Sequence, residues 1–125
     1  MNPLASSHFP MLRVLCVDGN ANMRRIYRNL LLGMNVREAF VAESGVEAFA
    51  MFRANRPDIV ITEMNLPTLS GLELIKLIRE KADGPLRFTP IIACVADATL
   101  SILTEARDLG VTEFLAKPIS AKGLY

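Results

Sequence analysis

The chain has 125 residues, of which 51% are hydrophobic, and is therefore one domain long enough to bury a core without disulfides or a metal. Its net charge is only +1, and its main arginine cluster, Arg24, Arg25 and Arg28, fits the solvated face of a helix. The composition gives no reason to expect nucleic acid or an anionic membrane as a partner. Because no apolar run reaches the roughly 18 residues of a membrane span and no signal-peptide pattern is present, we expect a cytoplasmic protein.

The cysteines and the single histidine are poorly placed for chemistry. Cys16 and Cys94 lie inside apolar, strand-like segments, which favours reduced core residues over a disulfide or a metal pair. His8 lies in residues 1–10, which contain two prolines and two serines without periodicity and are predicted to be a flexible leader. A catalytic triad or a histidine-ligated metal site is therefore not expected.

In residues 11–125, five apolar segments alternate with helical patterns. We predict strands at residues 12–17, 36–42, 59–63, 90–95 and 111–116, and a loop at residues 81–89. Strict alternation of strand and helix predicts an α/β fold with a doubly wound parallel sheet and right-handed crossovers. Only residues 120–125 remain for a fifth helix, which we expect to be truncated or missing.

The predicted helices carry capping residues at their ends. Asn20 is a plausible N-cap of the first helix, and Gly33 ends it. Ser44 and Ser70 are each followed three residues later by a glutamate, which predicts two capping boxes. The inner face of the first helix is predicted from helical spacing to consist of Met23, Ile26, Tyr27, Leu30 and Leu31.

Charged residues follow three of the predicted strands. Asp18 comes after the first strand, Glu63 ends the third, and Lys117 follows the fifth. Ligands of open α/β sheets bind outside the carboxyl ends of the strands, so these side chains are expected to meet at one edge. Two carboxylates facing one ammonium group suit either a divalent cation with a phosphoryl-type ligand or an internal salt bridge.

These segments resemble a known family. Val-Leu-Cys-Val-Asp18, the run Pro57-Asp-Ile-Val-Ile-Thr-Glu63-Met-Asn-Leu-Pro67 and Phe114-Leu-Ala-Lys117-Pro118 look like the receiver domain of two-component response regulators, the CheY-like fold. The resemblance extends over residues 12–125 and implies a flavodoxin-like sheet with strand order 2-1-3-4-5. The lysine and the structural proline, Pro118, after the fifth strand are a specific mark of this family.

The resemblance also implies a chemistry. In this family an aspartate at the end of the third strand accepts a phosphoryl group from a sensor kinase's phosphohistidine. Two acidic residues after the first strand hold Mg²⁺, a threonine or serine after the fourth strand and a lysine bind the phosphoryl oxygens, and an aromatic residue on the fifth strand acts as a switch. In this chain Asp18 and Lys117 match the family, and the switch aromatic is Phe114.

Three positions depart from the family together: Glu63 at the acceptor, Gly19 at the second acidic position and Val95 at the hydroxyl position. The extra methylene of glutamate displaces the reacting oxygen by on the order of 1 Å, which can cost about 10²-fold in rate. Gly19 removes a carboxylate from the metal site, and Val95 cannot donate a hydrogen bond. We therefore expect no cofactor and at most weak Mg²⁺ binding through Asp18 and Glu63.

These departures predict a pseudo-receiver, which is not an enzyme and acts by contact with signalling proteins, either a sensor kinase or a downstream effector. A salt bridge between Glu63 and Lys117 is predicted to hold one signalling state. Two alternatives stay open: a Mg²⁺-dependent receiver that uses another carboxylate, such as Asp18, and a flavodoxin-like small-molecule binder. The second is disfavoured because only one glycine, Gly19, follows the first strand. A homodimer through the surface that a complete fifth helix would cover is a further expectation.

Overall fold

A five-stranded parallel sheet forms the centre of the molecule in the computed structural model, which describes residues 11–95 and 100–116. The elements in chain order are β1 (Arg13–Val17), α1 (Ala21–Gly33), β2 (Glu38–Ala42), α2 (Gly45–Asn55), β3 (Ile59–Glu63), α3 (Gly71–Lys81), a 3-10 helix (Gly84–Phe88), β4 (Ile91–Val95), α4 (Leu100–Asp108) and β5 (Glu113–Ala116). The strand order is β2-β1-β3-β4-β5, with every neighbouring pair parallel. The predicted doubly wound fold is therefore confirmed.

Helices cover both faces of the sheet. The core on one face contains Tyr27 and Leu31 of α1. The core on the other face contains Phe52 of α2, Ile75 of α3 and Ala106 of α4. Because β3 lies between β1 and β4, all five of its residues are buried, which suits the apolar run Ile59–Ile61 at its start.

The predicted helix caps are largely present. The Asn20 side chain accepts a hydrogen bond from the Met23 N–H at 3.1 Å, and Ser70 forms a complete capping box with Glu73. The Ser44 hydroxyl accepts from the Glu47 N–H at 3.2 Å, whereas the described hydrogen bonds include no reciprocal bond from the glutamate.

Two local predictions were wrong. Ile26 was expected on the inner face of α1 but is 40% exposed, because the buried stripe of this helix is centred on Tyr27 and Leu31. The segment 81–89 was expected to be a plain loop but contains the 3-10 helix, which Pro85 helps to start. The predicted leader, residues 1–10, and the predicted short fifth helix, residues 120–125, lie outside the described residues.

Both cysteines are buried and reduced, as the sequence predicts. The Tyr27 hydroxyl donates a hydrogen bond to Cys94 Sγ at 3.1 Å, which joins α1 to β4. Burial raises the pKa of the Cys16 thiol and of the Tyr27 hydroxyl well above their usual values. These groups are therefore part of a neutral core. None of the helices within the described ranges is long and apolar enough to cross a membrane.

Arg79 of α3 connects three segments that follow it in the chain. Its Nη1 donates to the backbone carbonyls of Arg87 and Thr89, both at 2.8 Å, and its Nη2 donates to the carbonyl of Gly110 at 2.7 Å. One guanidinium group thus supplies donors to the 3-10 helix, to the approach to β4 and to the turn before β5. A planar fork of several N–H groups suits this role better than an ammonium group.

We predict that Arg79→Met lowers the free energy of unfolding by about 1 to 2 kcal/mol, because it leaves backbone carbonyls without their charged donor. Urea denaturation monitored by circular dichroism measures the change. Arg107→Met is the matched control, since Arg107 is exposed and its Nε lies 3.8 Å from Asp108 Oδ1, and its effect is expected to stay within about 0.5 kcal/mol. Equal effects of the two substitutions would contradict this role of Arg79.

Candidate functional site

Two buried carboxylates lie at the carboxyl edge of the sheet. Asp18 directly follows β1 and is 2% exposed, and Glu63 ends β3 and is 7% exposed. Because β1 and β3 are neighbouring parallel strands with Val17 paired to Thr62, the two residues reach the edge side by side. The structure therefore brings together these two predicted site residues.

Each carboxylate accepts a hydrogen bond from the backbone two residues further along the chain. Asp18 Oδ1 accepts from the Asn20 N–H at 2.9 Å, and Glu63 Oε1 accepts from the Asn65 N–H at 3.2 Å. The Asp18 N–H also donates to the carbonyl of Ala42 at the end of β2. Both side chains are thus oriented by the turns that leave their strands.

Arg24 reaches this edge from α1, which the sequence analysis did not predict. Its Nη1 donates to the backbone carbonyl of Asp18 at 2.9 Å, and its Nη2 lies 3.8 Å from Glu43 Oε2. The expectation of a solvated helix face holds for Arg25 and Arg28, which are exposed, but it was wrong for Arg24, whose side chain is only 20% exposed. The sequence shows only that Arg24 follows Asp18 by six residues, which does not fix the direction of its side chain.

The loop after Glu63 is held in a strained shape. Thr68 has φ 62°, a left-handed conformation that costs a β-branched residue about 1–2 kcal/mol. The flanking backbone compensates, because the Leu69 N–H donates to the Pro67 carbonyl at 2.7 Å and the Gly71 N–H donates to the Met64 carbonyl at 3.0 Å. Such conformations persist where the surrounding structure fixes them, and they are common at functional sites.

Gly19 lies at the same edge but contributes no side chain. A Cβ atom added there would be 3.5 Å from Pro67 Cδ and 3.7 Å from the Glu43 carbonyl oxygen, which are ordinary contacts. A Cβ atom would therefore fit, so packing at Cβ does not require glycine at this position.

The remaining predicted site residues lie on the neighbouring strands. Val95 ends β4, is 7% exposed, and pairs with Ala116 of β5. Phe114 of β5 is half-buried and packs against the core. Lys117 and Pro118 lie outside the described residues.

The donor set at this edge is small. Within residues 11–95 and 100–116, no three histidine, cysteine, aspartate or glutamate side chains are grouped so that they could hold a metal ion. The described part of the chain places Asp18, Glu63 and the ion pair of Arg24 with Glu43 at this edge.

Comparison with known proteins identifies the family. The model of the response regulator receiver domain matches residues 14–125. The chain belongs to the response regulator receiver family. It is 34% identical over 113 residues to chemotaxis protein CheY-3 of Vibrio cholerae, covering 90% of this chain and 85% of that protein. It is 31% identical over 113 residues to chemotaxis protein CheY of Pseudomonas aeruginosa, covering 90% of each.

Solved structures agree with this assignment. The Vibrio cholerae chemotaxis protein CheY4 superposes with a TM-score of 0.84 at 29% identity, covering 91% of this chain and 92% of that one. The expected CheY-like receiver fold is therefore confirmed. The chain is a receiver domain of two-component signalling, a module type that interacts with kinases and effectors.

Gly71 lets this receiver begin α3 directly against the end of β3. A Cβ atom at Gly71 would lie 2.5 Å from the Glu63 carbonyl oxygen and 2.6 Å from Met64 Cα, closer than real contacts allow. We predict that Gly71→Ala lowers the free energy of unfolding by about 1–3 kcal/mol, because it pushes α3 away from the site. Thermal and urea unfolding measure the loss.

The matched control is Gly33→Ala at the end of α1, where an added Cβ would have no neighbour within 4 Å. This variant is expected to keep or slightly increase the stability, since alanine favours the helix. A harmless Gly71→Ala substitution would show that the tight start of α3 is not required.

Proposed function

We propose that this receiver is a pseudo-receiver, which signals through protein contacts without accepting a phosphoryl group. The observation that carries the proposal is the side chain at the end of β3. It is Glu63, where the family resemblance places an aspartate as phosphoryl acceptor. Its carboxylate is buried at the edge of the sheet, and the longer side chain moves the reacting oxygen by on the order of 1 Å from the position that an aspartate would give it.

The surroundings of Glu63 support the same conclusion. Gly19 supplies no second carboxylate beside Asp18, although a Cβ atom would fit there. Val95 offers no hydroxyl group for a phosphoryl oxygen. Transfer to Glu63 therefore lacks the acceptor geometry, one metal ligand and one hydrogen-bond donor.

Mg²⁺ fits this edge poorly. Asp18 and Glu63 are the carboxylates that remain, and Glu63 Oε1 already accepts from the Asn65 N–H. Mg²⁺ demands near-octahedral oxygen ligands and usually depends on bound phosphate to complete them. We therefore assign the metal no step in the action of this protein.

An ion pair between Glu63 and Lys117 would replace the phosphoryl group as the signal. Glu63 pairs in register with Cys94, and Cys94 pairs with Leu115, so Lys117 follows two residues beyond the level of Glu63. In this proposal Lys117 reaches the same edge as Glu63. A buried carboxylate requires a partner of opposite charge or good hydrogen bonds, and the pair would hold the domain in one signalling state.

The partner in this proposal is a sensor kinase or a downstream effector. It would contact the face formed by α4 and β5, which carries the switch position Phe114. A fixed signalling state means that protein abundance and partner binding, and not phosphorylation, set the output.

We predict that incubation with acetyl phosphate and Mg²⁺ leaves the intact mass of the wild-type chain unchanged. The triple variant Gly19→Asp, Glu63→Asp, Val95→Thr is predicted to gain one phosphoryl group, because it supplies the acceptor, the metal ligand and the hydroxyl donor together. Intact-mass spectrometry measures both results.

The control is the double variant Gly19→Asp, Val95→Thr, which keeps Glu63 and is predicted to stay unmodified. Phosphoryl transfer to the wild-type chain would overturn the pseudo-receiver proposal. Transfer to the double variant that peptide mass spectrometry locates at Glu63 would show that glutamate at this position is a competent acceptor.

A double-mutant cycle tests the ion pair. Glu63→Gln and Lys117→Met are predicted to destabilise the fold individually, and the two effects are predicted to be coupled by about 1–3 kcal/mol, because each single change leaves a charge without its partner. Urea unfolding of the wild-type chain, both single variants and the double variant measures the coupling. Additive effects would contradict the ion pair and leave the acetyl phosphate result unaffected.

A further inference from the structure

A groove lies at the amino edge of the sheet, opposite the edge that carries Asp18 and Glu63. We call it the amino-edge groove. It consists of two adjoining cavities of about 350 and 430 Å³. Its lining includes Arg53, Arg56, Pro57, Leu86, Phe88 and Pro90.

The groove presents arginines that have no carboxylate partner within the described ranges. Arg53 and Arg56 are exposed, and neither takes part in the ion pairs of the described residues. Arg87 lies next to the groove, is also exposed and takes part in none of these ion pairs. Its guanidinium carbon lies 5.3 Å from the centre of the Phe88 ring. These cations are therefore available to an anionic ligand.

The groove also carries two acidic residues, Asp58 and Asp83. Asp58 Oδ2 accepts a hydrogen bond from the Arg13 N–H at 2.8 Å, so part of this carboxylate is engaged in joining β1 to β3. Asp83, in the loop after α3, lines both cavities, as Arg56 does. The lining itself carries two arginines and two aspartates, and Arg87 beside it leaves the surface with one net positive charge.

The backbone conformation of Arg56 is energetically unfavourable for a residue with a side chain. Arg56 ends α2 with φ 50°, in the left-handed region, where glycine or asparagine is the usual choice. The conformation costs a residue with a side chain about 1 kcal/mol or more relative to glycine. Arginine at this helix end therefore contributes a charged side chain where glycine would give more stability.

The opposite wall provides an apolar contact that is already in place. Phe88 is 71% exposed, although phenylalanine side chains are usually buried. The loop that carries it is fixed by Arg79, which donates to the carbonyls of Arg87 and Thr89, and by the Thr89 hydroxyl, which donates to the carbonyl of Leu86 at 2.7 Å. A ligand would therefore bind without ordering this loop first, which lowers the cost of association.

We propose that the amino-edge groove binds an acidic, extended segment of a partner protein that carries one bulky apolar side chain. Arg53 and Arg56 pair with the acidic side chains, and the apolar side chain packs against Phe88 and the prolines. A concave groove suits a peptide segment better than a flat anionic bilayer, which would contact only its outer surface. The groove is at the opposite edge from Glu63, so this binding does not depend on the pseudo-receiver proposal.

The test uses the full chain and a fluorescein-labelled peptide in which one tryptophan is flanked by glutamates. Fluorescence anisotropy measures the affinity, and amide chemical shifts of the ¹⁵N-labelled protein locate the peptide. We expect saturable binding with shifts at Arg56, Leu86 and Phe88. Arg53→Glu combined with Arg56→Glu is expected to weaken binding by about tenfold or more, and Phe88→Ser by severalfold.

Two further variants separate binding from folding. Arg56→Gly removes the charge at a position where glycine is favoured, so this variant is expected to bind more weakly while unfolding at an equal or higher urea concentration. Arg25→Glu combined with Arg28→Glu makes the same change in net charge on the exposed face of α1 and is expected to bind like the wild-type chain.

Several results would overturn the proposal. These are the absence of saturable binding, equal binding of a peptide with glutamines in place of the glutamates, or equal weakening by the α1 control variant. Binding to phosphatidylserine vesicles without a response to the peptide would assign the groove to a lipid surface. Concentration-dependent shifts of the groove amides without peptide would assign it to a second copy of the chain.

Discussion

The pairing of β3 between β1 and β4 is the constraint on which the rest of the structure depends. It buries every residue of β3 and brings Glu63 to the edge beside Asp18. Burial of a carboxylate is costly unless the surroundings supply hydrogen bonds or an opposite charge. Three features surround Glu63 at this position. The Asn65 N–H donates to its carboxylate, the loop that follows is strained, and α3 begins at Gly71 close to the end of β3.

The two edges of the sheet have different physical characters. At the carboxyl edge, buried carboxylates are oriented by backbone N–H groups, which suits a fixed arrangement with an internal cation. At the amino edge, exposed arginines and Phe88 lie on preformed walls, which suits recognition of another molecule. Arg79 links the approach to β4 with the turn before β5, so the amino edge is rigid as well.

Much of the fold could be predicted from the sequence because parallel strands buried on both faces are continuous apolar runs, and because Asn20 and Ser70 are strong cap signals. Asp18 and Glu63 could be placed together for the same reason, since strand ends share an edge. The contact of Arg24 with Asp18 could not be predicted, because hydrophobic periodicity does not show in which direction a long polar side chain extends from the first turn of a helix. The exposed position of Ile26 and the formation of the 3-10 helix could not be predicted either. Both depend on packing between helices and strands, which the local sequence pattern does not encode.

The most direct test of the pseudo-receiver account is the amide spectrum of the ¹⁵N-labelled chain with and without Mg²⁺ and beryllofluoride, an analogue of a phosphoryl group. The account predicts that the resonances of Asp18, Glu63, Val95 and Phe114 keep their positions at saturating reagent, because the site lacks the geometry to bind the analogue and its state is already fixed. Saturable shifts of these resonances that require both Mg²⁺ and beryllofluoride would contradict it and show a receiver that still responds to phosphorylation.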